Sequence, residues 1–158
     1  MCIRDRVERH NAALVVFLGR DKRFLERFVL YGEWLAATHS IPYEKLPDLF
    51  LAFDLYDRAT ETFIGRQSLE VLLDGTDIRI VPVIEVRDTM PTAEELRNMV
   101  QQSSKFYSGR LEGVYVKIEE AGRVVQRGKV VRGDFIADNE HWTKGRIRNN
   151  GIETHHAT

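Results

Sequence analysis

The chain has 158 residues, of which 43% are hydrophobic and 30% charged, and its formal net charge is −1. This length and composition suit one soluble globular domain, and the balanced charge excludes a protein coated in positive charge, so any nucleic-acid contact must come from a local patch. The single cysteine, Cys2, excludes an internal disulfide and a cysteine-based zinc site and fits a reducing, cytoplasmic setting. No apolar run is long enough to span a bilayer and no signal-peptide pattern opens the chain, which predicts a protein without membrane segments.

The amino-terminal region is predicted to be helical after a short leader. Residues 1–6 show no apolar pattern, and we expect them to be a non-native leader. From Val7 to Phe28 the apolar residues recur at helical spacing, and Gly19-Arg20-Asp21 predicts a break between two helices. This pattern predicts two helices.

Two strands are predicted next, at residues 28–36 and 49–56, separated by turn-rich sequence. Strict alternation in the second strand would place one apolar set on the core face, made of Leu49, Leu51, Phe53 and Leu55. Phe50 then lies on the opposite face, where its ring could stack on a planar ligand or simply pack.

The remaining elements complete an α+β pattern. Thr92 and Glu95 form the signature of a capping box, which predicts a helix from there to about Gln102. The other predicted elements are a turn at 57–65, a helix at 66–73, a buried strand at 78–86, a loop at 103–109, a β-hairpin at 111–120 and 123–132, and a polar tail at 144–158. Strands with interspersed helices that do not alternate regularly predict a mostly antiparallel sheet with flanking helices.

The hairpin carries charged residues at a suggestive spacing. Period-two alternation puts the carboxylate of Glu112 on the same face as Val114, at the margin of an apolar surface. On the return strand Arg127 and Lys129 share a face. A carboxylate beside two cations would suit a metal-bound polyphosphate, although a charged hairpin with a solvated face has the same pattern.

Three short segments are Leu30-Tyr-Gly-Glu-Trp34, Phe50-Leu-Ala-Phe-Asp54 and Leu111-Glu-Gly-Val-Tyr-Val-Lys117, followed by Arg127-Gly-Lys129. In this order and spacing they resemble the later motifs of the ATP-dependent RNA ligases. The resemblance covers Val7 to Trp142 and includes the stretch 34–43 and the closing His141-Trp142. It implies that residues 7–143 are a partial nucleotidyltransferase domain of the ligase and capping-enzyme type, with an ATP-grasp-like fold.

The resemblance also implies roles for individual residues. Glu33 would contact the ribose hydroxyls of ATP or AMP, since a carboxylate can accept two hydrogen bonds from a diol. Phe50 would stack on the adenine, and Glu112 would hold the catalytic Mg²⁺. Lys129 would neutralise the α-phosphate. The family often has a second lysine nearby, and here Arg127 and Arg132 flank a single one.

One family motif is missing from these residues. Members of the family carry a lysine nucleophile in a Lys-x-Asp-Gly string, and no such string occurs in the 158 residues. The lysines that are present stand in other contexts: Lys22, Lys45, Lys105, Lys117, Lys129 and Lys144. We therefore expect the carboxy-terminal portion of a nucleotidyltransferase domain, inactive alone because it contains no catalytic residue.

The resulting hypothesis is a fragment of an RNA repair enzyme that joins RNA 3′-hydroxyl and 5′-phosphate ends through enzyme–AMP and RNA–adenylate intermediates. A DNA ligase or capping-type transferase remains open, because the motifs are shared. A non-catalytic module that binds nucleotide or RNA also remains open. The genomic sequence upstream of Val7 would separate these readings, because an in-frame Lys-x-Asp-Gly would indicate truncation.

Overall fold

The computed structural model describes residues 3–18, 27–134 and 148–153. Within these ranges the chain forms three helices and six strands, which confirms the α+β prediction. None of the described helices is long and apolar enough to cross a lipid bilayer. In chain order the elements are α1 (Ile3–Leu18), β1 (Phe28–Trp34), β2 (Phe50–Asp57), β3 (Thr62–Ile64), α2 (Arg66–Leu73), β4 (Arg79–Ile80), α3 (Ala93–Met99), β5 (Gly113–Glu120) and β6 (Arg123–Val131).

The chain divides into two compact units. Unit 1 comprises Met1–Trp34, Leu49–Val81 and Lys117–Gln126, and unit 2 comprises Leu35–Asp48, Pro82–Val116 and Arg127–Thr158. The hairpin of β5 and β6 therefore contributes its turn end to unit 1 and its open end to unit 2.

The six strands form one sheet in the order β1-β2-β3-β6-β5, with β4 beside β2. The β1–β2, β2–β3 and β3–β6 pairs are antiparallel, whereas β4 runs parallel to β2, so the predicted mostly antiparallel sheet is confirmed. Ala121 and Gly122 join β5 to β6 with φ angles of 49° and 75°. Positive φ at both positions is typical of the two-residue hairpin turn whose twist matches that of paired strands.

The core of unit 1 lies between the sheet and its helices. Leu69 and Leu73, one turn apart on α2, are buried against Ala52 and Leu55 of β2. Phe17 of α1 and Ile78, just before β4, complete the same cluster. Burying a leucine or phenylalanine side chain contributes about 1.5–3 kcal/mol, so this cluster accounts for the position of α2 on the sheet.

A bulge in β2 overturns the predicted strand faces. Tyr31 pairs with Asp54 and Gly32 pairs with Ala52, so Phe53 is an extra residue of β2 relative to β1. Leu55 consequently packs in the same cluster as Ala52, although strict alternation put them on opposite faces. The prediction that Leu51, Phe53 and Leu55 share one face is therefore wrong, because the extra residue shifts the alternation.

Other element boundaries also differ from the predictions. Strand β3 lies within the stretch predicted to be a turn, and the strand predicted at 78–86 contains only the two residues of β4. Val81 follows β4 and donates its N–H to the Ala52 carbonyl at 2.9 Å. Pro82 comes next and has no N–H for a ladder, and Val83, Ile84 and Val86 are exposed. Helix α3 ends at Met99 rather than near Gln102, while the capping box of Thr92 and Glu95 is confirmed.

At the amino-terminal end, α1 begins at Ile3, inside the stretch expected to be a leader. The second helix predicted before β1 falls largely on residues 19–26, outside the described ranges, and Phe28 already belongs to β1. The assignment of residues 1–6 as a leader stays a prediction.

Unit 2 contains α3, the open end of the hairpin and loops that are joined by isolated bridges. Residues 148–153, part of the predicted polar tail, dock on the segment after β1 through an antiparallel bridge of Asn149 with Ala37 and a parallel bridge of Ile152 with Leu46. Leu46 is fully buried, and Asn150 is 9% exposed. Polar composition therefore does not prevent this short segment from being part of the folded unit.

Asp57 makes the stability of unit 1 dependent on pH. Arg27 donates to both of its carboxylate oxygens at 2.9 and 2.7 Å, and this pairing lowers the pKa of Asp57. A lowered pKa stabilises the fold at pH values above the unfolded-state pKa of about 3.9, and the stabilisation is lost as pH falls through the folded-state value. We expect the urea concentration at the midpoint of unfolding to decrease when the pH is lowered below about 4. The decrease should be smaller for Asp57→Asn than for the wild type.

The matched control for this titration is Asp77→Asn, because Asp77 is exposed. It should keep the acid dependence of the wild type. An Asp57→Asn variant with unchanged acid dependence would show that the ion pair is not the source.

Candidate nucleotide and metal site

Glu33 lies near the end of β1 with an exposed side chain. It is paired with Leu51 of β2. Residues directly opposite each other in an antiparallel pair project from the same face, so Glu33 shares its face with Leu51. An exposed carboxylate there is free of burial costs and accessible to a ligand.

Phe50 packs partly into the core of unit 1. It stands opposite Trp34, with ring centroids 6.5 Å apart, and lies against the buried cluster around Ala52 and Leu55. Its ring also covers Gly32, where any Cβ would collide with it. The absence of a side chain at Gly32 is thus what gives the Phe50 ring its place.

The pairing register separates Glu33 from Phe50. The Trp34–Phe50 pair and the Glu33–Leu51 pair are neighbours in the ladder, and neighbouring pairs project from opposite faces. Alternation from Leu51 puts Phe53 on the Glu33 face, where it is half-buried. The sequence pattern missed Phe53 as a ligand candidate, because the bulge at this residue arises from pairing with β1.

In unit 2, Glu112 immediately precedes β5 and holds its carboxylate between two donors. Lys129 Nζ lies 3.3 Å from Oε1, and the Tyr43 hydroxyl donates to Oε2 at 3.4 Å. The backbone N–H of Arg132 donates to the Glu112 carbonyl at 3.0 Å, which fixes the residue at the open end of the hairpin. The predicted proximity of the Glu112 carboxylate to a cation of the return strand is therefore confirmed for Lys129.

The two arginines of the predicted phosphate group are placed differently. Arg127 is exposed on β6, two residues before Lys129, and so shares its strand face. Arg132 directs Nε to within 2.6 Å of Asp134 Oδ1, and only 15% of its side chain is exposed. A phosphate role for Arg132 would require it to leave Asp134.

The donor set fits a metal that arrives with a nucleotide. The described residues contain no group of three or more acidic, histidine or cysteine side chains that could enclose an ion. Mg²⁺ usually keeps several waters and takes one or two protein carboxylates together with substrate phosphates. Glu112, whose side chain is 28% exposed, can supply one such carboxylate.

Lys117 has a separate and unexpected place in unit 1. Its Nζ lies 2.5 Å from Asp54 Oδ1 and donates to the Phe53 carbonyl at 2.5 Å. The Asp54 side chain is fully buried, and that of Lys117 is 15% exposed. Lys117 of β5 therefore forms a buried ion pair with Asp54 of the bulged strand β2. The sequence pattern did not predict this pair.

The antiparallel sheet, its helices and the Glu112–Lys129 pair are consistent with part of a nucleotidyltransferase-type domain. The family model for RNA ligase matches residues 4–131, from the first described turn of α1 to the end of β6. The chain belongs to the RNA ligase family. No curated protein and no solved structure gives a significant match.

Proposed function

We propose that this chain supplies the ATP and Mg²⁺ contacts of an ATP-dependent RNA ligase that joins 3′-hydroxyl and 5′-phosphate RNA ends. The observation that carries the proposal is the Glu112 carboxylate held between Lys129 and Tyr43, in a chain of this enzyme family. A Mg²⁺ ion bound there would stabilise the negative charge that develops on a reacting phosphate.

We assign a different role to each of the three cations Lys129, Arg127 and Arg132. Lys129, 59% exposed, can leave Oε1 and place its ammonium against the α-phosphate of ATP when the metal takes the carboxylate. Arg127 adds a second positive charge on the same strand face, and Arg132 is a third candidate if it exchanges Asp134 for phosphate. Cations aimed at a transferring phosphoryl group are the main protein contribution to this type of chemistry.

For the nucleoside we propose that Glu33 receives the ribose hydroxyls. Its exposed carboxylate can accept two hydrogen bonds from the diol. Phe50 is the stacking ring that the family resemblance implies, whereas the register favours Phe53, which lies on the Glu33 face. The two rings can be separated by experiment, because only one of them packs against the core cluster and Gly32.

The covalent step requires a lysine that the 158 residues do not provide in a Lys-x-Asp-Gly string. Lys117 Nζ is paired with the buried Asp54 carboxylate, and Lys129 is the cation that we propose for the α-phosphate. A nucleophilic amine must be aimed in line at the phosphorus, and a lysine that serves as a charge partner is not. We therefore propose that this chain binds ATP without forming a lysine–AMP bond.

The test measures ATP binding by calorimetry, with Mg²⁺ and with EDTA, and looks for acid-stable label after incubation with α-labelled ATP. We expect tighter binding with Mg²⁺ and no label on the protein. Glu112→Gln should weaken Mg·ATP binding by at least about tenfold while leaving metal-free ATP binding unchanged. Glu120→Gln, an exposed carboxylate at the other end of β5, is the matched control and should bind as the wild type.

Three results would contradict the proposal. Absence of ATP binding would remove the nucleotide site, and Mg·ATP binding unaffected by Glu112→Gln would remove Glu112 from the metal. Stoichiometric labelling would show that one of the lysines present is a nucleophile. Comparing binding to nicked RNA and nicked DNA distinguishes an RNA ligase from the DNA ligase alternative.

A further inference from the structure

The side-chain amide of Asn150 makes all of its hydrogen bonds to the segment that follows β1, residues 35–43. Its Oδ1 accepts from the Thr38 hydroxyl at 2.8 Å and from the backbone N–H of Tyr43 at 3.0 Å. Its Nδ2 donates to the carbonyls of Leu35 and Ala37 at 2.9 and 3.2 Å. An asparagine amide offers two donor hydrogens and an acceptor oxygen with two lone pairs, so all four positions are occupied.

Within this segment, Tyr43 connects Asn150 to Glu112, the carboxylate that we propose as the Mg²⁺ ligand. Its backbone is held at both polar groups, since its carbonyl also accepts from Gly151 N–H at 2.6 Å. Its ring makes edge contacts with Phe106 and Tyr107, at centroid distances of 6.1 and 5.8 Å. A ring fixed in this way has little freedom, and its hydroxyl donates to Glu112 Oε2.

We infer that Asn150 is a positioning residue for the metal site: it fixes Tyr43, whose hydroxyl orients the Glu112 carboxylate for Mg²⁺. This inference rests on the proposed function of Glu112. Asn150 lies beyond residues 4–131, which match the family model. Groups that orient a metal ligand commonly change metal affinity by about 10–100-fold when they are removed.

The experiment measures a ratio in the full chain, the Kd for ATP in EDTA divided by the Kd for Mg·ATP. Tyr43→Phe removes only the hydroxyl, and Asn150→Asp keeps Oδ1 but places an oxygen against two carbonyls. Each should lower the ratio by about tenfold, and the double variant should lower it no further, because both changes act through one contact. Asn149→Asp makes the same charge change at the neighbouring exposed position and should leave the ratio unchanged.

A purely structural role for Asn150 would lower the melting temperature of Asn150→Asp and leave the ratio unchanged below that temperature, and this result would overturn the inference. A wild-type ratio in Tyr43→Phe would overturn it as well. If Asn150→Asp does not fold, Thr38→Val removes one hydrogen bond to the same amide. It should lower the ratio in the wild type but not in the Tyr43→Phe background, and an equal loss in both backgrounds contradicts the inference.

The Glu112→Gln variant separates this inference from the proposed function. If Glu112→Gln leaves the ratio unchanged, the metal assignment itself fails, and the positioning role fails with it. If Glu112→Gln abolishes the Mg²⁺ effect while Tyr43→Phe and Asn150→Asp do not change it, the metal assignment stands and only the positioning role is removed.

Discussion

Replacing Lys117 by methionine should lower the free energy of unfolding by about 3–5 kcal/mol, because it leaves the carboxylate of Asp54 buried without its cation. The Asp54 side chain is fully buried, and the Lys117 ammonium lies 2.5 Å from its Oδ1. Methionine keeps most of the length of the lysine side chain, so packing is changed little. Urea unfolding at neutral pH measures the loss.

Two further variants show whether the lost charge is responsible. Lys105→Met removes an exposed lysine and should unfold at the wild-type urea concentration. Asp54→Leu combined with Lys117→Met removes both charges and should recover most of the stability, because an apolar pair can replace a buried ion pair at little cost. A single Lys117→Met variant as stable as Lys105→Met would mean that the ion pair of Lys117 with Asp54 does not stabilise the fold.

Phe50→Ala should destabilise the chain by about 3 kcal/mol, while Phe53→Ala should mainly weaken ATP binding. The first ring packs against the core cluster and covers Gly32, so its removal leaves a cavity. The second is half-buried on the Glu33 face, where stacking on a base is possible. Urea unfolding measures the loss of stability and calorimetry measures the loss of ATP affinity. Both measurements on both variants show which ring stabilises the fold and which binds ATP.

Phe50→Leu and Phe53→Leu are the matched controls, because they keep apolar volume and remove the aromatic face. We expect Phe50→Leu to recover stability and Phe53→Leu to remain weak in ATP binding. The opposite ranking would assign the stacking role to Phe50, as strict alternation along β2 and the family resemblance predict.

Elements with strong local signals were predictable from the sequence. Helix α2 has the predicted bounds, and the capping box of Thr92 and Glu95 marks the start of α3, because these signals involve residues close in the chain. The turn at Ala121 and Gly122 was likewise readable from the glycine between two alternating runs. The proximity of Glu112 to Lys129 followed from strand alternation across that hairpin.

The bulge in β2 could not be read in this way. Alternation along β2 predicts one face for each residue, but the extra residue at Phe53 arises from pairing with β1 around Tyr31 and Gly32. The same limit explains the buried pair of Asp54 and Lys117, whose members are distant in sequence. Local patterns therefore predicted the strands but not the strand face on which each aromatic ring lies.

The part of the site contributed by Asn150 was hidden for a different reason. It lies in a polar stretch without periodicity, and its role depends on four hydrogen bonds to a segment elsewhere in the chain. Tyr43 likewise gives no local signal of its contact with Glu112. Polar networks between distant segments become visible only when the fold brings them together.

The hydrogen bonds of Asn150 span 107 to 115 residues of sequence, which sets an order of events during synthesis. At about 5–20 residues per second, the ribosome adds those residues over roughly 5–20 seconds after Tyr43 has been made. Throughout that interval the carbonyls of Leu35 and Ala37 and the amide of Tyr43 must find their partners in water. The segment around Tyr43 can thus reach its final hydrogen bonding only after Asn150, at least 107 residues further along the chain, has been made.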